Sequence, residues 1–174
     1  MSDKMTNMNL IYSLLKYVNL EEPEIRELMN KDDEALNIFE TTYFYKDCFQ
    51  TAHDINLKSL KNICSVKLGV FHKKKCVGCI LAASPHKIGM QHIIQEDGLL
   101  ITNLCVQSSY RSVKLGEKLL HRCISDIISQ NQVPLISINT REPLNNAEKL
   151  YDFYTKNGFI HCRTVDNLIV MRYM

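Results

Sequence analysis

One stretch constrains this chain more than any other, Gly98 to Leu120, GLLITNLCVQSSYRSVKLGEKLL. Its first third is a buried strand in pattern. Leu99, Leu100, Ile101, Leu104, Cys105 and Val106 form an apolar run broken only by Thr102 and Asn103. Its last third is helical in pattern, because Leu115, Leu119, Cys123 and Ile127 recur every fourth residue and so share one face. Between them lies the polar, basic turn from Gln107 to Lys114. The first N–H groups of a helix have no partner within it, so they point back into such a turn. An anion the size of a pyrophosphate would satisfy them, with Arg111 and Lys114 adding charge.

The remaining sequence bounds the setting. A chain of 174 residues with 45% hydrophobic content suits one globular domain with a sizeable core, here residues 1–174. A net charge of +2 does not point to nucleic acid, and the basic residues are dispersed except at His72-Lys73-Lys74-Lys75, which reads as a solvated hairpin turn. No apolar run reaches membrane-spanning length and the N-terminus lacks signal-peptide pattern, so a cytoplasmic protein without stable membrane insertion is expected. The seven cysteines are then expected to be reduced. Cys76-Val77-Gly78-Cys79 invites a metal reading. However, on a regular strand residues three apart face opposite ways, and there is no second cysteine pair, so structural thiols and no metal are expected.

The pattern predicts the following elements. Asn9 to Val18 fits either a strand or a short helix. Glu21-Glu22-Pro23 is a helix-start signal, predicting helices over Pro23–Asn30 and Asp32–Phe44. Phe39, Tyr43, Phe44, Tyr45 and Phe49 form an aromatic group suited to core packing. His53 to Ile63 is ambiguous. Cys64–Phe71 and Cys76–Ala83 form an antiparallel hairpin. After the central strand and helix come a strand over Pro134–Thr140, a helix over Ala147–Lys156 closed by Asn157-Gly158, and a hairpin of Phe159–Val165 and Leu168–Tyr173. The expected fold is α/β, a mixed sheet flanked by helices.

Two signatures carry a resemblance. Val106, four residues, then Arg111-x-x-Lys114-x-Gly116 is similar to the acyl-CoA loop of the GCN5-related N-acetyltransferase (GNAT) superfamily, with Lys114 where a Gly is usual. Asn146-Ala147, then Tyr154-Thr155-Lys156-Asn157-Gly158-Phe159, resembles the superfamily's second helix signature. The element order is also similar, from about Cys64 to Tyr173. The resemblance implies that Cys105, Val106, Arg111, Ser112, Val113, Lys114, Leu115 and Gly116 bind acyl-CoA. It implies that Tyr154 faces the departing sulfur, where a phenol could protonate a thiolate, with Tyr151 one helical turn earlier competing for the role.

Within the superfamily, Leu104-Cys105-Val106, Arg111-Ser112 and a basic residue at Lys114 resemble the N-terminal half of glycylpeptide N-myristoyltransferase. Lys75 to Ile80 with Ala82 and Pro85 is similar as well, and Thr140 matches a substrate-contacting Thr. That resemblance implies backbone donors at Asn103 and Leu104 for a developing oxyanion, freed by a bulge or splay of this strand. Such a splay, where the strand of Leu104 leaves the strand of Ile136 and Ile138, would also admit an acyl tail.

A general base is less defined. The acetyltransferases often use a Glu on this strand, but Leu100 stands there. Glu96, Asp97, a water held by Asn103 or Thr140, and the carboxylate of Met174 are the alternatives, although orientation alone contributes much to thioester aminolysis. The leading expectation is transfer of myristoyl from myristoyl-CoA to an N-terminal glycine. The alternatives are transfer of acetyl from acetyl-CoA to a small amine, a lysine or a protein N-terminus, and a non-catalytic CoA-binding module.

Overall fold

A computed structural model describes residues 22–44, 56–140 and 144–174. The reading of Asn9–Val18 falls outside them, as do the side chains of Tyr43, Phe44, Tyr45 and Phe49. The described strands are β1 (Glu24–Glu27), β2 (Val66–His72), β3 (Lys75–Ala83), β4 (Leu99–Val106), β5 (Pro134–Asn139), β6 (Phe159–Val165) and β7 (Leu168–Tyr173). The described α-helices are α1 (Asp33–Phe39), α2 (Leu57–Ile63), α3 (Leu115–Ile128) and α4 (Leu144–Lys156). One seven-stranded sheet runs in the order β1-β2-β3-β4-β5-β7-β6. Every neighbouring pair is antiparallel except β4 and β5.

The two faces are covered by different helices. Leu115, Leu119, Leu120, Cys123, Ile124 and Ile127 of α3 pack on Val70, Ile80, Ile101 and Val106, and Tyr151 and Tyr154 of α4 join the same cluster. We call this face A. On face B, Leu36 and Phe39 of α1 and Leu57 of α2 pack on Cys79, Leu81 and Cys105. The connection after β3 also lies on face B, where Ile88, Met90, Ile93 and Ile94 cover Leu100, Leu135 and Val170.

The helix expected over Pro23–Asn30 is instead edge strand β1, paired along Leu68–Phe71. Proline is tolerated at the start of an edge strand. What holds the strand is not local. Arg26 lies 3.8 Å over the Phe71 ring and grips Asp32 through two hydrogen bonds of 2.7 and 2.8 Å. Asp32 also accepts from the Met29 amide at 2.8 Å. The guanidinium's hydrogen bond holds the Asp32 carboxyl down at about 2.

The ambiguous stretch before β2 becomes α2, and its start is held by side chains. Asn56 Oδ1 accepts from Ser59 N, and Oε1 of buried Glu40 accepts from Leu57 N, both at 2.9 Å. Lys61, only 1% exposed, donates to Met29 O at 3.2 Å and pairs with Asp33, pinning α2 to the turn before α1. A buried lysine needs such partners, since an unpaired buried charge is expensive.

Two bulges matter. Between β2 and β3, Val70 pairs with Gly78 and Phe71 with Cys76, leaving Val77 extra. The extra residue resets the alternation. Cys76 and Cys79 therefore share face B rather than facing opposite ways as a regular strand would place them. Burial pushes the Cys64 and Cys76 thiols up to about 11 and Cys123 up to about 12, so these side chains behave as apolar core. Cys105 departs from the expectation of reduced thiols, because it is disulfide-bonded. Among the described residues no group of three His, Cys, Asp or Glu could hold a metal ion, and no helix is long and apolar enough to cross a membrane. The second bulge lies in β4 and shapes the site.

Candidate active site

Strands β4 and β5 pair only at Leu99↔Pro134, Leu100↔Leu135 and Ile101↔Ile136. Beyond Ile101 they part. At the same point Leu81 pairs with Asn103 and Ala82 with Ile101, so Thr102 is the bulged residue, its hydroxyl donating to Leu81 O at 3.1 Å.

The bulge changes which amides face the opening. Before it, Leu99 N donates across to Val133 O, on the β5 side. After it, Gln107 N donates to Val77 O, on the β3 side. Antiparallel pairs alternate between bonded and non-bonded. Counting back from Gln107 along the register, Cys105 and Asn103 also turn their amides toward β3. The amides of Leu104 and Val106 turn the other way, into the space β5 has left. Of the two donors expected from the sequence, Leu104 therefore has the open orientation and Asn103 does not.

The turn expected to hold an anion sits at the end of this strand. Ser108–Val113 forms a 3-10 turn and α3 follows. Arg111 Nε donates to Val106 O at 3.0 Å, folding the turn against the strand end, and Lys114 N donates to Arg111 O at 3.2 Å. The first bond of the α3 ladder is Lys118 N to Lys114 O, so the amides of Leu115, Gly116 and Glu117 precede the ladder. Tyr110 ties the turn to the β2–β3 hairpin, its hydroxyl 2.6 Å from His72 Nδ1.

Lys114 adopts φ 56°, in the left-handed region. That conformation is what a glycine there would supply without strain, and an L side chain tolerates it at a cost of about 1 kcal/mol. Gly116 is the reverse case. A methyl added to it would meet only Val106 Cγ2 at 3.8 Å. Glycine in a helix is worse than alanine by about 1 kcal/mol, so nothing in the protein itself requires it there. Gly78 differs again: a Cβ would come within 2.9 Å of Cys105 O, so that glycine serves the β3–β4 approach.

The other expected residues are distributed as follows. The Val106 side chain is buried on face A and that of Cys105 on face B. Ser112 lies in the 3-10 turn, and Val113 is 56% exposed beside it. Tyr154, on face A, packs between Phe153 and Phe159, and burial raises its phenol well above the ordinary value. Thr140 ends β5, with its hydroxyl donating to Asn167 O at 3.1 Å and its amide to the same carbonyl at 2.7 Å. Its proton thus serves the β6–β7 turn, leaving lone pairs for an amine. Glu96 is held by Arg163 at 3.0 Å.

Met174 does not belong with these residues. Because Leu135 pairs with Arg172, Tyr173 is level with Pro134 and Leu99. Leu104 lies five residues further along, roughly 17 Å away at the rise of a strand. The carboxylate expected as a candidate base is therefore at the closed end of the β4–β5 pair, not at the split.

What the sequence reading missed is a cavity of about 600 Å³ on face B. It is lined by Asn56, Ser59, Leu60 and Ile63 from α2, Ile88 and Met90 from the connection after β3, Leu100 and Thr102 from β4, and Ser137 from β5. Thr102 and Ser137 are the first residues past the last rung on each side of the split.

The chain as a whole has counterparts among known proteins. The sequence profile described as Acetyltransferase (GNAT) family matches residues 24–159. The chain belongs to the GNAT acetyltransferase family, and it is an acyltransferase. Solved structures share the fold at low identity. PH1933 from Pyrococcus horikoshii OT3 is 18% identical with a TM-score of 0.67 over 87% of this chain and 98% of its own. The PaiA N-acetyltransferase from Thermoplasma acidophilum, solved with coenzyme A, is 18% identical with a TM-score of 0.58 over the same shares, 87% and 98%. Arabidopsis thaliana Naa50, in complex with the bisubstrate analogue CoA-Ac-MVNAL, is 17% identical with a TM-score of 0.58, again over 87% and 98%. No functionally curated protein matches the chain. Nothing among these matches singles out an N-myristoyltransferase.

Proposed function

We propose that this GNAT protein is an acetyl-CoA-dependent N-acetyltransferase acting on a primary amine. The observation that carries the reading is the parting of β4 and β5 beyond Ile101 and Ile136, directly beside the uncapped start of α3. In this reading the pyrophosphate is received by the amides of Leu115, Gly116 and Glu117, within the loop Arg111-Ser112-Val113-Lys114, with charge from Arg111 and Lys114. The bare Gly116 lets the anion approach the backbone. The pantetheine arm follows the backbone of Cys105 and Val106, pairing with the open edge that β5 has left.

The reaction is a balanced transfer. The amine nitrogen bonds to the thioester carbon, the carbon–sulfur bond breaks, and the proton lost by nitrogen ends on sulfur. The Leu104 amide donates to the developing oxyanion, a preorganised contact that contributes a few kcal/mol. Tyr154, a phenol held neutral by its burial, passes its proton to the leaving sulfur and takes up the one that nitrogen loses, so the net transfer runs from nitrogen to sulfur. With Leu100 in place of an acid, attack relies on an amine that is already neutral and on its orientation.

One neighbouring structure named as an N-acetyltransferase and solved with coenzyme A, together with Naa50 solved with the bisubstrate analogue CoA-Ac-MVNAL, supports acetyl as the group and an amine or peptide N-terminus as the acceptor. The myristoyl reading has no comparable support. A donor series from acetyl- to palmitoyl-CoA, assayed by thiol release with Gly-starting and other peptides, separates the two. An optimum at acetyl is expected. An optimum at myristoyl together with a requirement for an N-terminal glycine would reverse the assignment.

A further inference from the structure

The face B cavity carries an inference about the acceptor, one that rests on the N-acetyltransferase reading. We infer that this cavity receives the acceptor and selects the α-amino group of a peptide whose first side chain is apolar. The argument begins with position. The cavity opens on the face opposite α3, and its floor includes Thr102 and Ser137, the first residue beyond the last β4–β5 rung on each strand. A nucleophile seated there meets a thioester lying in the split from the side away from the CoA loop.

Lining chemistry sets the class. Leu60, Ile63, Ile88, Met90 and Leu100 are apolar, and Asn56, Ser59, Thr102 and Ser137 are polar but uncharged. None of these described lining residues is ionisable. An ammonium entering such a site would lose water without gaining a carboxylate, so the amine is taken in its neutral form. At pH 7.5 about a third of a peptide α-amino group is neutral, against about a thousandth of a lysine side chain. That difference favours peptide N-termini over lysines and polyamines by about two orders of magnitude before any contact is counted. The apolar walls then favour a first side chain such as Leu or Met over Asp or Lys.

A polar anchor adjoins the cavity rather than lining it, at Asn103, the neighbour of the floor residue Thr102. Asn103 pairs opposite Leu81, whose side chain packs on face B, so both project to the cavity's face of the sheet. Its Oδ1 is buried and has no hydrogen-bond partner. Buried acceptors are rarely left so. We assign this oxygen to an N–H of the incoming amine, which makes Asn103 an acceptor-positioning residue through its side chain rather than an oxyanion donor through its backbone.

The test pairs a binding measurement with a substrate panel. Calorimetry with acetyl-CoA establishes that the donor site works. Acetyl transfer is then measured to peptides starting Leu, Met, Asp or Lys, to an α-blocked peptide carrying an internal lysine, and to spermidine. The expected result is at least tenfold higher kcat/KM for Leu and Met starts than for Asp and Lys starts. Transfer to the blocked peptide and spermidine should be lower by about a hundredfold. Asn103→Leu should raise KM for the peptide about tenfold with acetyl-CoA affinity unchanged. Ile63→Glu, at a position 40% exposed on the rim and so tolerant of charge, should shift preference from Leu starts toward Lys starts. Acetyl-CoA binding combined with equal or better use of lysine, spermidine or Asp starts would overturn this inference alone. Absence of acetyl-CoA binding in the unaltered protein would contradict the acetyltransferase reading and this inference with it.

Discussion

The two faces of the sheet are built in opposite ways. The face A site is one continuous segment, in which β4, a turn and the start of α3 follow each other from Leu99 to Gly116. Its geometry is nearly all local: a strand ends, a tight turn exposes amides, and a helix begins. The face B cavity draws on α2, the connection after β3, β4 and β5, segments as far apart in sequence as Asn56 and Ser137. Its shape depends on tertiary links such as Lys61 to Asp33, Glu40 to Leu57 and Arg26 to Asp32. On the proposed function, donor binding rests on a local motif and acceptor selection on tertiary packing. Changes on the two faces should therefore have separable effects.

The largest expected effect comes from breaking the face B scaffold. Lys61→Ala leaves the Asp33 carboxylate and the Met29 carbonyl without their buried partner. It should cost about 3 kcal/mol in denaturant unfolding and should raise acceptor KM more than acetyl-CoA Kd. Equal loss on both faces would show that the two sites are not independent. On face A, Gly116→Val should fold, because its Cβ would meet only Val106 Cγ2, at 3.8 Å. It should weaken acetyl-CoA about a hundredfold by calorimetry, about 2.7 kcal/mol, with little change in unfolding. Unchanged affinity would remove the α3 start from the donor site.

A smaller effect is set by pH. The Asp32 carboxyl is held at about 2 in the folded protein against an unfolded value of 3.8. A depressed carboxyl stabilises the fold above its unfolded pKa, and that contribution is lost as pH falls through the folded one. About 2 kcal/mol should thus disappear between pH 4 and pH 2. Arg26→Gln should flatten that segment of the stability profile, as followed by urea unfolding. The smallest effect is expected at Lys114→Gly, which relieves the left-handed strain at φ 56°. It should stabilise by up to about 1 kcal/mol while weakening acetyl-CoA several-fold through the lost charge.

The same contrast explains what could be read from the sequence. The strand, basic turn and helix from Gly98 to Leu120 were legible because the patterns that mark them, an apolar run, a polar basic turn and an apolar residue at every fourth position, lie next to one another in the sequence. So was the hairpin around Asp166-Asn167. The parting of β4 from β5 was legible only as a consequence of family resemblance, and the bulge lies at Thr102, one residue before the expected donor Asn103. β1 was misread because Glu22-Pro23 carries a helix-start signal, whereas the strand is fixed by Arg26 against Phe71 and Asp32. Cys76 and Cys79 were placed on opposite faces because the bulge at Val77 leaves no local mark. The cavity was invisible in the sequence, since its lining residues are ordinary leucines, isoleucines and serines until the fold gathers them. Leu100 was the one available signal: an apolar residue at the position of the expected acid announced a site without a charge.

The division of labour between the faces is tested most directly by an amide-resolved NMR titration of the isotope-labelled protein. Adding acetyl-CoA should perturb Leu104, Val106 and the segment from Lys114 to Glu117, leaving Ser59, Ile63 and Ile88 unmoved. A Leu-starting peptide added afterwards, in the presence of a non-transferable acetyl-CoA analogue, should perturb Ser59, Ile63, Ile88 and the Asn103 side-chain amide. Acetyl-CoA shifts centred on face B, or peptide shifts centred on the α3 start, would contradict the account.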